Sequence, residues 1–592
     1  MKRINGQFSA QTGILIICTI LFVTADSFAG KIIVPWRAKK EIVRQGTEFA
    51  IWLQKGATET VESVSLVGPY NIVPLSVKQN KNGSWYFDEY TKATYNCSLS
   101  VEVPAGTPVE LYDLVVKTSS GTCTSRSAVK VVNEFLSRYY ICHFTDPHVS
   151  VSWADTGNIT APIMQALGEI ISVIDPELAI CTGDNIIGFS RTTKIPKTYS
   201  DRWDAFWEGT APGRLGGMHN TRVPVFSTTG NNDYDKYRVN PDAQKMYKLT
   251  DWDSICGMRV FGFSYDQTRF LAFDDYLGEL DDHANFTGSC KDFPAAQTNV
   301  LEKYLSAAGA GQLRIVLQHA PERVIPAFCN THTVKLALCG HTHVDNLTTI
   351  GTTPTSVYET AYVCFAEYWS PGYTPPNSAK TKLRIIEINN NAIVSNQSVY
   401  VMDYIHVMKG QSDGKFLTVT YTNPNQGKDT LITATLKNSS TYSFTGCKIR
   451  FVMRKGRYVI DNGKLLQSFD NDTVSIYDVK IPVGASGSAS VTIRPDHTVG
   501  TVFHNSDQTA SQTMVAIKPA KQGLTVHVND QIATLKALLI YDLHGKLIKT
   551  AYLNTSAAGK IISLPRGLYV ARYTATTKTG TIVKGMIKVS ML

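Results

Sequence analysis

From residue 30 to 135 apolar and polar positions alternate in short runs, EFAIWLQ, ESVSLV and YDLVVKT among them, separated by Gly, Pro, Asn and Ser. A period of two sends one face of each strand to a core and the other to water, and many short strands between turn residues predict a β-sandwich of immunoglobulin type. From 136 to 410 the texture changes. Continuous apolar runs in YYICHFTDPH, ELAICTGD, RVPVFSTTGNND, LRIVLQHA and VKLALCGHTH alternate with helical patterns over TAPIMQALGEIISVI (Thr160 to Ile174) and AAQTNVLEKYLSAA. Strands apolar on both faces, with helices between them, predict an α/β layered core. The polar residues cluster where five of those strands end, and all five are expected on one sheet. From 411 to 518 alternating runs return (KFLTVTYTN, TLITATL, CKIRFVMR), predicting a second sandwich, and 519–592 reads as a small all-β unit.

The first thirty residues read MKRINGQFSAQTGILIICTILFVTADSFAG: a basic start, an apolar run from Gly13 to Val23, and small residues up to Ala29. This is the pattern of a signal peptide (1–29) cleaved after Ala29. The apolar run is shorter than the about 20 residues a membrane span needs. An exported chain with no transmembrane segment in its mature form is expected, in the periplasm, at the cell surface or outside the cell.

Composition adds little to that picture. At 592 residues the chain is long enough for several cores, and 43% hydrophobic with 18% charged residues places it among globular proteins. The formal charge of +9 becomes +8 once Lys2, Arg3 and Asp26 leave with the signal segment. The remaining cations are scattered, which argues against nucleic acid as a partner. Of eleven cysteines, Cys18 lies in the signal segment. In an oxidising compartment Cys97 with Cys123, and Cys256 with Cys290, are the candidate disulfides. Cys142, Cys181, Cys339 and Cys364 sit inside apolar runs and read as small buried hydrophobes.

Candidate chemistry gathers at the strand ends: Asp146 and His148, then Gly183-Asp184-Asn185, then Gly230-Asn231-Asn232-Asp233, then His319, then His341 and His343. Each cluster alone is common, and a histidine closing an apolar strand is usually structural. Five in succession form one donor set. Carboxylate, carboxamide and neutral imidazole suit borderline cations such as zinc, manganese and iron, with no thiolate among them. A carboxylate such as Asp184 can bridge two cations, and a cation pair can clamp the oxygens of an in-line phosphoryl displacement.

These motifs, DxH, GD, GNxD, H and GHxH, resemble those of the calcineurin-like metallophosphoesterases over roughly Arg138 to Asp403. The resemblance implies a metallophosphoesterase-like layered β-sandwich flanked by helices, in a multidomain chain with all-β immunoglobulin-like domains before and after it. It also implies two divalent or trivalent metal ions (Mn, Fe or Zn). Asp146, His148 and His343 would bind one, Asn231, His319 and His341 the other, and Asp184 would bridge them. Asn232 and Asp233 join the site as catalytic candidates: Asn232 stands where the family usually has a histidine, and Asp233 would orient ligands. Ile187 stands where relatives resembling purple acid phosphatases carry a tyrosine ligand, which argues against a ferric-tyrosinate centre. The activity implied is metal-dependent hydrolysis of a small phosphorylated substrate, an ester or anhydride, by phosphatase or phosphodiesterase chemistry with hydroxide attacking phosphorus in line. The alternative is a surface binding or adhesion protein whose central domain is catalytically weak.

Substrate contacts are less defined. IIGFSRTTKIPKTYSDRWDAFWEG reads as a surface insertion that could offer Arg191 and Lys194 to the cleft or be an ordinary loop with buried rings. Tyr234, Arg238, Tyr368, Trp369 and Tyr373 are further rim candidates. At the C-terminus, IYDLHGKLI and LPRGLYVARY resemble the sorting domain of Bacteroidetes type IX secretion, which implies secretion machinery as a partner.

Overall fold

The computed structural model describes residues 30–88, 93–149, 160–186, 199–209, 217–233, 252, 255–275, 295–306, 311–363, 381–401, 414–496, 515–520, 523–528, 532–542, 547–553, 560–562, 567–578 and 582–591. The signal segment with Cys18, and Ile187, Arg191, Lys194, Tyr234, Arg238, Cys290, Cys364, Tyr368, Trp369 and Tyr373, lie outside the described residues. The chain divides into two compact units. The first holds Met1–Gly427, Thr433–Val452 and Asn462–Val491; the second holds Lys428–Ile432, Met453–Asp461 and Thr492–Leu592.

The site-bearing part of the first unit is built from two sheets. The first sheet contains β1 (Arg138–Phe144), β2 (Leu178–Thr182) and β3 (Val225–Thr228). The second runs β4 (Phe261–Tyr265), β5 (Thr268–Ala272), β6 (Leu313–Leu317), β7 (Leu336–Cys339), β8 (Asn346–Ile350) and β9 (Thr355–Glu359) along the chain. β10 (Lys382–Asn389) and β11 (Ala392–Tyr400) then return to the first sheet. The sheet orders are β3-β2-β1-β10-β11 and β4-β5-β6-β7-β9-β8. Within them β1, β2 and β3 run parallel, as do β5, β6, β7 and β9. β2, β3 and β7 are buried at every position, as parallel strands covered on both faces must be.

The five motif-bearing strands therefore belong to two sheets, not one. Continuous apolar runs mark a strand as covered on both faces but carry nothing about which strand it pairs with. Helix α1 (Thr160–Ile174) buries Ile163, Leu167, Ile170, Ile171 and Ile174, one face at helical spacing. Helix α2 (Tyr199–Glu208) lies inside the stretch read as an insertion, and its Trp203, Phe206 and Trp207 are fully buried. That half of the segment is a packed helix. Helices α3 (Ala295–Ser306) and α4 (Pro326–Thr331) supply Leu301, Leu305, Phe328 and Cys329 to the core beside the second sheet.

Ahead of this region, a four-stranded and a five-stranded sheet enclose a core that includes Phe49, Ile51, Leu99, Leu114 and Val129. Cys97 and Cys123 lie in that core on different sheets, and both are unbridged. The Cys97 thiol donates to Asn80 Oδ1 at 3.4 Å, and the Cys123 thiol to the Gly30 carbonyl. Both serve as buried polar hydrophobes rather than as a crosslink. Cys142, Cys181 and Cys339 are buried as expected.

Polar ties hold these strands to the rest of the first unit. Glu208 at the end of α2 receives Arg37, Arg126 and His219. Further along, Phe444–Arg454, Val474–Val483 and Lys464–Asp470 form a three-stranded sheet. There Arg450 holds Asp478 through two bonds of 2.7 Å and also reaches Glu110, all three side chains being buried. In the second unit, Leu547–Leu553, Ile532–Asp542, Gly567–Thr577 and Ile582–Met591 make an antiparallel sheet in that order. Among the described residues no helix is long and apolar enough to cross a membrane.

Candidate metal centre

Each cluster follows the carboxyl end of its strand: Asp146 and His148 after β1, Asp184 after β2, Asn231 to Asp233 after β3, His319 after β6, and His341 and His343 after β7. The chain must turn sharply there to bring side chains back over the strand ends. Asp146, His148, Asp184, His341 and His343 accordingly have positive φ, 51°, 44°, 49°, 68° and 62°. Left-handed backbone costs about 1–3 kcal/mol per non-glycine residue and persists only where its surroundings over-determine it. Two glycines make the close approach possible. A Cβ on Gly230 would collide with the Asp184 backbone and carboxylate, and one on Gly340 with Thr145 and Asp146.

Asp146 Oδ1 is the centre of the arrangement. His343 Nε2 stands 3.2 Å from it, His148 Nε2 3.6 Å and His319 Nε2 3.8 Å. It is fully buried yet accepts no hydrogen bond among the described residues. Its other oxygen is occupied, accepting from Thr145 Oγ1 at 2.8 Å and the His341 amide at 3.0 Å. Asp184 Oδ2 lies 3.4 Å from His319 Nε2 and 3.7 Å from His148 Nε2. Two groups, Asp146 with His148 and His343, and Asp146 with Asp184 and His319, each bring their ligand atoms within 4.8 Å of one another. His341 Nδ1 approaches Asn231 Oδ1 at 3.0 Å, with its ring edge-on to His319. All seven candidate ligands meet in one place.

The charge balance there calls for cations. Burial alone would raise both carboxylates, but His319 above all, with its imidazole neighbours, holds Asp146 well below the usual range and also lowers Asp184. Conversely, burial opposes a charge on His319, and Asp184 and Asp146 nonetheless push its pKa well above the usual histidine value. Two buried carboxylates thus draw positive charge onto an imidazole whose neutral form is the metal ligand. An oxygen without a hydrogen bond, ringed by imidazole nitrogens, fits a bound cation.

Asn232 is 4% exposed and turned toward Asp184: its amide donates to Oδ2 at 2.6 Å and its backbone N–H to Oδ1 at 2.7 Å. Asn232 Oδ1 accepts no hydrogen bond among the described residues. Asp233 is fully buried and accepts from Gly230 N, Asn185 Nδ2 and Ile186 N at 2.8, 2.8 and 3.2 Å. Those bonds tie the β3 loop to the β2 loop, so Asp233 positions the loops that carry Asp184 and Asn231. Sequence reasoning passed over Thr182 and Asp275. The Thr182 carbonyl accepts from His319 Nδ1 at 2.7 Å, and Asp275 Oδ2 accepts the amides of His319 and Ala320 at 3.1 and 2.6 Å. The acidic pair closing the run RFLAFDD was the available signal for Asp275.

Comparison with known proteins agrees with the motifs. Residues 139–345 match the family model of the calcineurin-like phosphoesterases, and residues 518–588 match that of the secretion system C-terminal sorting domain. Both resemblances read from the sequence are thereby shown. Similar solved structures include a predicted phosphoesterase from Streptococcus pneumoniae TIGR4, 10% identical, covering 45% of this chain and 91% of that one at a TM-score of 0.21. The phosphopantetheinyl hydrolase of Mycobacterium tuberculosis is 13% identical over 40% of this chain and 98% of its own, at a TM-score of 0.23. A Vps29 variant from Entamoeba histolytica is 10% identical over 44% and 98%, at 0.20. No curated protein matches the chain in sequence.

Proposed function

We propose that this protein is an exported phosphoesterase whose central domain, 136–410, hydrolyses a phosphate ester or anhydride with two metal ions. The observation that carries this reading is the pair of ligand groups sharing Asp146, each within 4.8 Å. Asp146, His148 and His343 would hold one ion, Asn231, His319 and His341 the other, with Asp184 between them. Ions held there would neutralise charge on the phosphoryl oxygens and lower the pKa of a water. The protein's own contribution is to fix the ligands. Asp233 ties the loops together, and His319 is oriented by donating Nδ1–H to Thr182, which leaves Nε2 as the ligand atom. We read 30–135 and 411–518 as immunoglobulin-like domains and 519–592 as the sorting domain. The test is turnover of aryl and alkyl phosphomonoesters, diesters and pyrophosphates by protein loaded with Mn(II), Fe or Zn(II). Absence of turnover across that panel at full metal occupancy sinks the reading.

Asn232 bears on substrate preference. A carboxamide has no titrating proton, and general acid catalysis typically contributes about 10²–10⁴-fold. Good leaving groups such as aryl oxides or phosphates depart without it, whereas alkoxides do not. Asn232→His is therefore expected to raise kcat on alkyl phosphates more than on aryl ones, read as the ratio of the two gains at constant metal content. Equal gains, or losses on both, would show that Asn232 serves Asp184 alone.

The sorting domain gives a second expected result. Deleting 519–592 in the producing organism should leave active enzyme in the periplasm, measured by fractionation and activity. Unchanged export of the truncated chain would reduce this unit to a structural role.

A further inference from the structure

We propose that Arg384 is a positioning residue for the candidate metal centre: a strut rooted in the first sheet that fastens the His341–His343 loop of the second. The inference rests on the metal-centre reading above and goes beyond it, since Arg384 belongs to none of the ligand motifs. Arg384 stands on β10, directly across the strand pair from His143 on β1, and is 3% exposed. Its guanidinium makes four bonds. Nη2 donates to Asp345 Oδ1 at 3.1 Å and to the Glu359 carbonyl at 2.9 Å, Nε to Thr360 Oγ1 at 3.0 Å, and Nη1 to Asn396 Oδ1 at 2.9 Å.

Asp345 lies two residues beyond His343. It also accepts from Ser398 Oγ at 2.7 Å and the Ala361 amide at 3.1 Å, and pairs with Lys382 at 2.7 Å. Glu359 holds the same loop at two other points, accepting from Thr342 Oγ1 at 2.8 Å and Asn346 Nδ2 at 2.9 Å. The loop is thus gripped on both sides of His343 while its two histidines keep left-handed backbone. A planar fork of five donors can satisfy several acceptors at fixed angles, which a lysine cannot.

The same guanidinium reaches the other ligands. Thr360 Oγ1, which accepts from Arg384, is hydrogen-bonded to His143 Nδ1 at 2.8 Å, and His143 Nε2 is hydrogen-bonded in turn to Thr182 Oγ1 at 2.8 Å. Thr182 in turn orients His319 through its carbonyl. One residue therefore sets the spacing between ligands that come from facing sheets.

The test uses the full chain, stripped of metal, with Arg384→Met, Arg384→Lys, Asp345→Asn and the Arg384→Met/Asp345→Asn double variant. Calorimetric titration with Mn(II) and hydrogen exchange of residues 340–346 are the readouts. Arg384→Met and Asp345→Asn should each weaken Mn(II) binding about 10–100-fold, the range seen when residues supporting a ligand are lost. The double variant should lose less than the sum of the two singles, because the two residues share the Arg384–Asp345 contact. Arg384→Lys should fall between wild type and Arg384→Met. Exchange should rise in 340–346 while β2 keeps its protection. Wild-type Mn(II) affinity in Asp345→Asn, or additive losses in the double variant, overturns the proposal. Should Arg384→Met fail to fold, Asp345→Asn carries the test. A wild type that binds no Mn(II) counts against the metal reading instead, and the exchange experiment then decides: unchanged protection of 340–346 in Asp345→Asn rejects the strut.

Discussion

Asp184→Asn is expected to lower turnover by about 10³-fold or more, at the upper end of what losing a preorganised charged group costs. The change keeps shape and tolerates the left-handed backbone at 184, because asparagine adopts that conformation more readily than most residues. What it removes is the charge proposed to lie between two cations. It also removes an acceptor. Asn232 donates to both carboxylate oxygens, and a carboxamide can receive only one of those bonds, a local cost of about 1–3 kcal/mol. Metal analysis, circular dichroism and turnover measured on one preparation separate these effects: lost metal with an intact fold is the expected pattern. Wild-type turnover with full metal content would falsify the bridging assignment.

The second large effect is on stability. Arg450→Met should destabilise the first unit by about 3–5 kcal/mol, because it leaves Asp478 and Glu110 buried without their cation. Equilibrium urea unfolding followed by tryptophan fluorescence reads the loss. Acid should expose the same contact. Burial would raise the Asp478 carboxyl, but Arg450 holds it well below the usual carboxylate range. A group depressed in the folded state contributes stability above its unfolded pKa, about 3.9, and loses it as pH falls further. Wild type should therefore lose more stability than Arg450→Met between pH 5 and pH 3. Parallel losses would mean that the Arg450–Asp478 pair is not what acid breaks.

How much was legible in the chain depends on the kind of signal. The ligand clusters could be read because each sits at the end of an apolar run, and strand ends are where open sheets gather their chemistry. Sheet membership could not, since β2, β3, β6 and β7 are all buried on both faces and look alike in sequence. Helix α2 hides for another reason. Trp203, Phe206 and Trp207 have the i, i+3, i+4 spacing of a buried face, but Asp201 and Arg202 before them and Asp204 among them give the stretch the look of a solvated loop. The Cys97–Cys123 pairing failed because the two residues share a core without sharing a bond. Arg384 left no trace at all: its partners Asp345, Glu359 and Thr360 lie more than twenty residues earlier, and such contacts carry no periodicity.

His148 and His343, whose rings meet edge to face at 5.3 Å, are 195 residues apart in the chain. Closing so long a loop is entropically unfavourable until the intervening strands have paired and the two sheets have met. An intermediate with only the first sheet assembled holds Asp146, His148, Asp184 and Asn231 but none of the histidines that follow β6 and β7. Such a half-site offers a passing cation little more than solvated carboxylates do. A metal ion held by ligands from both sheets would therefore be captured only once the two sheets have met.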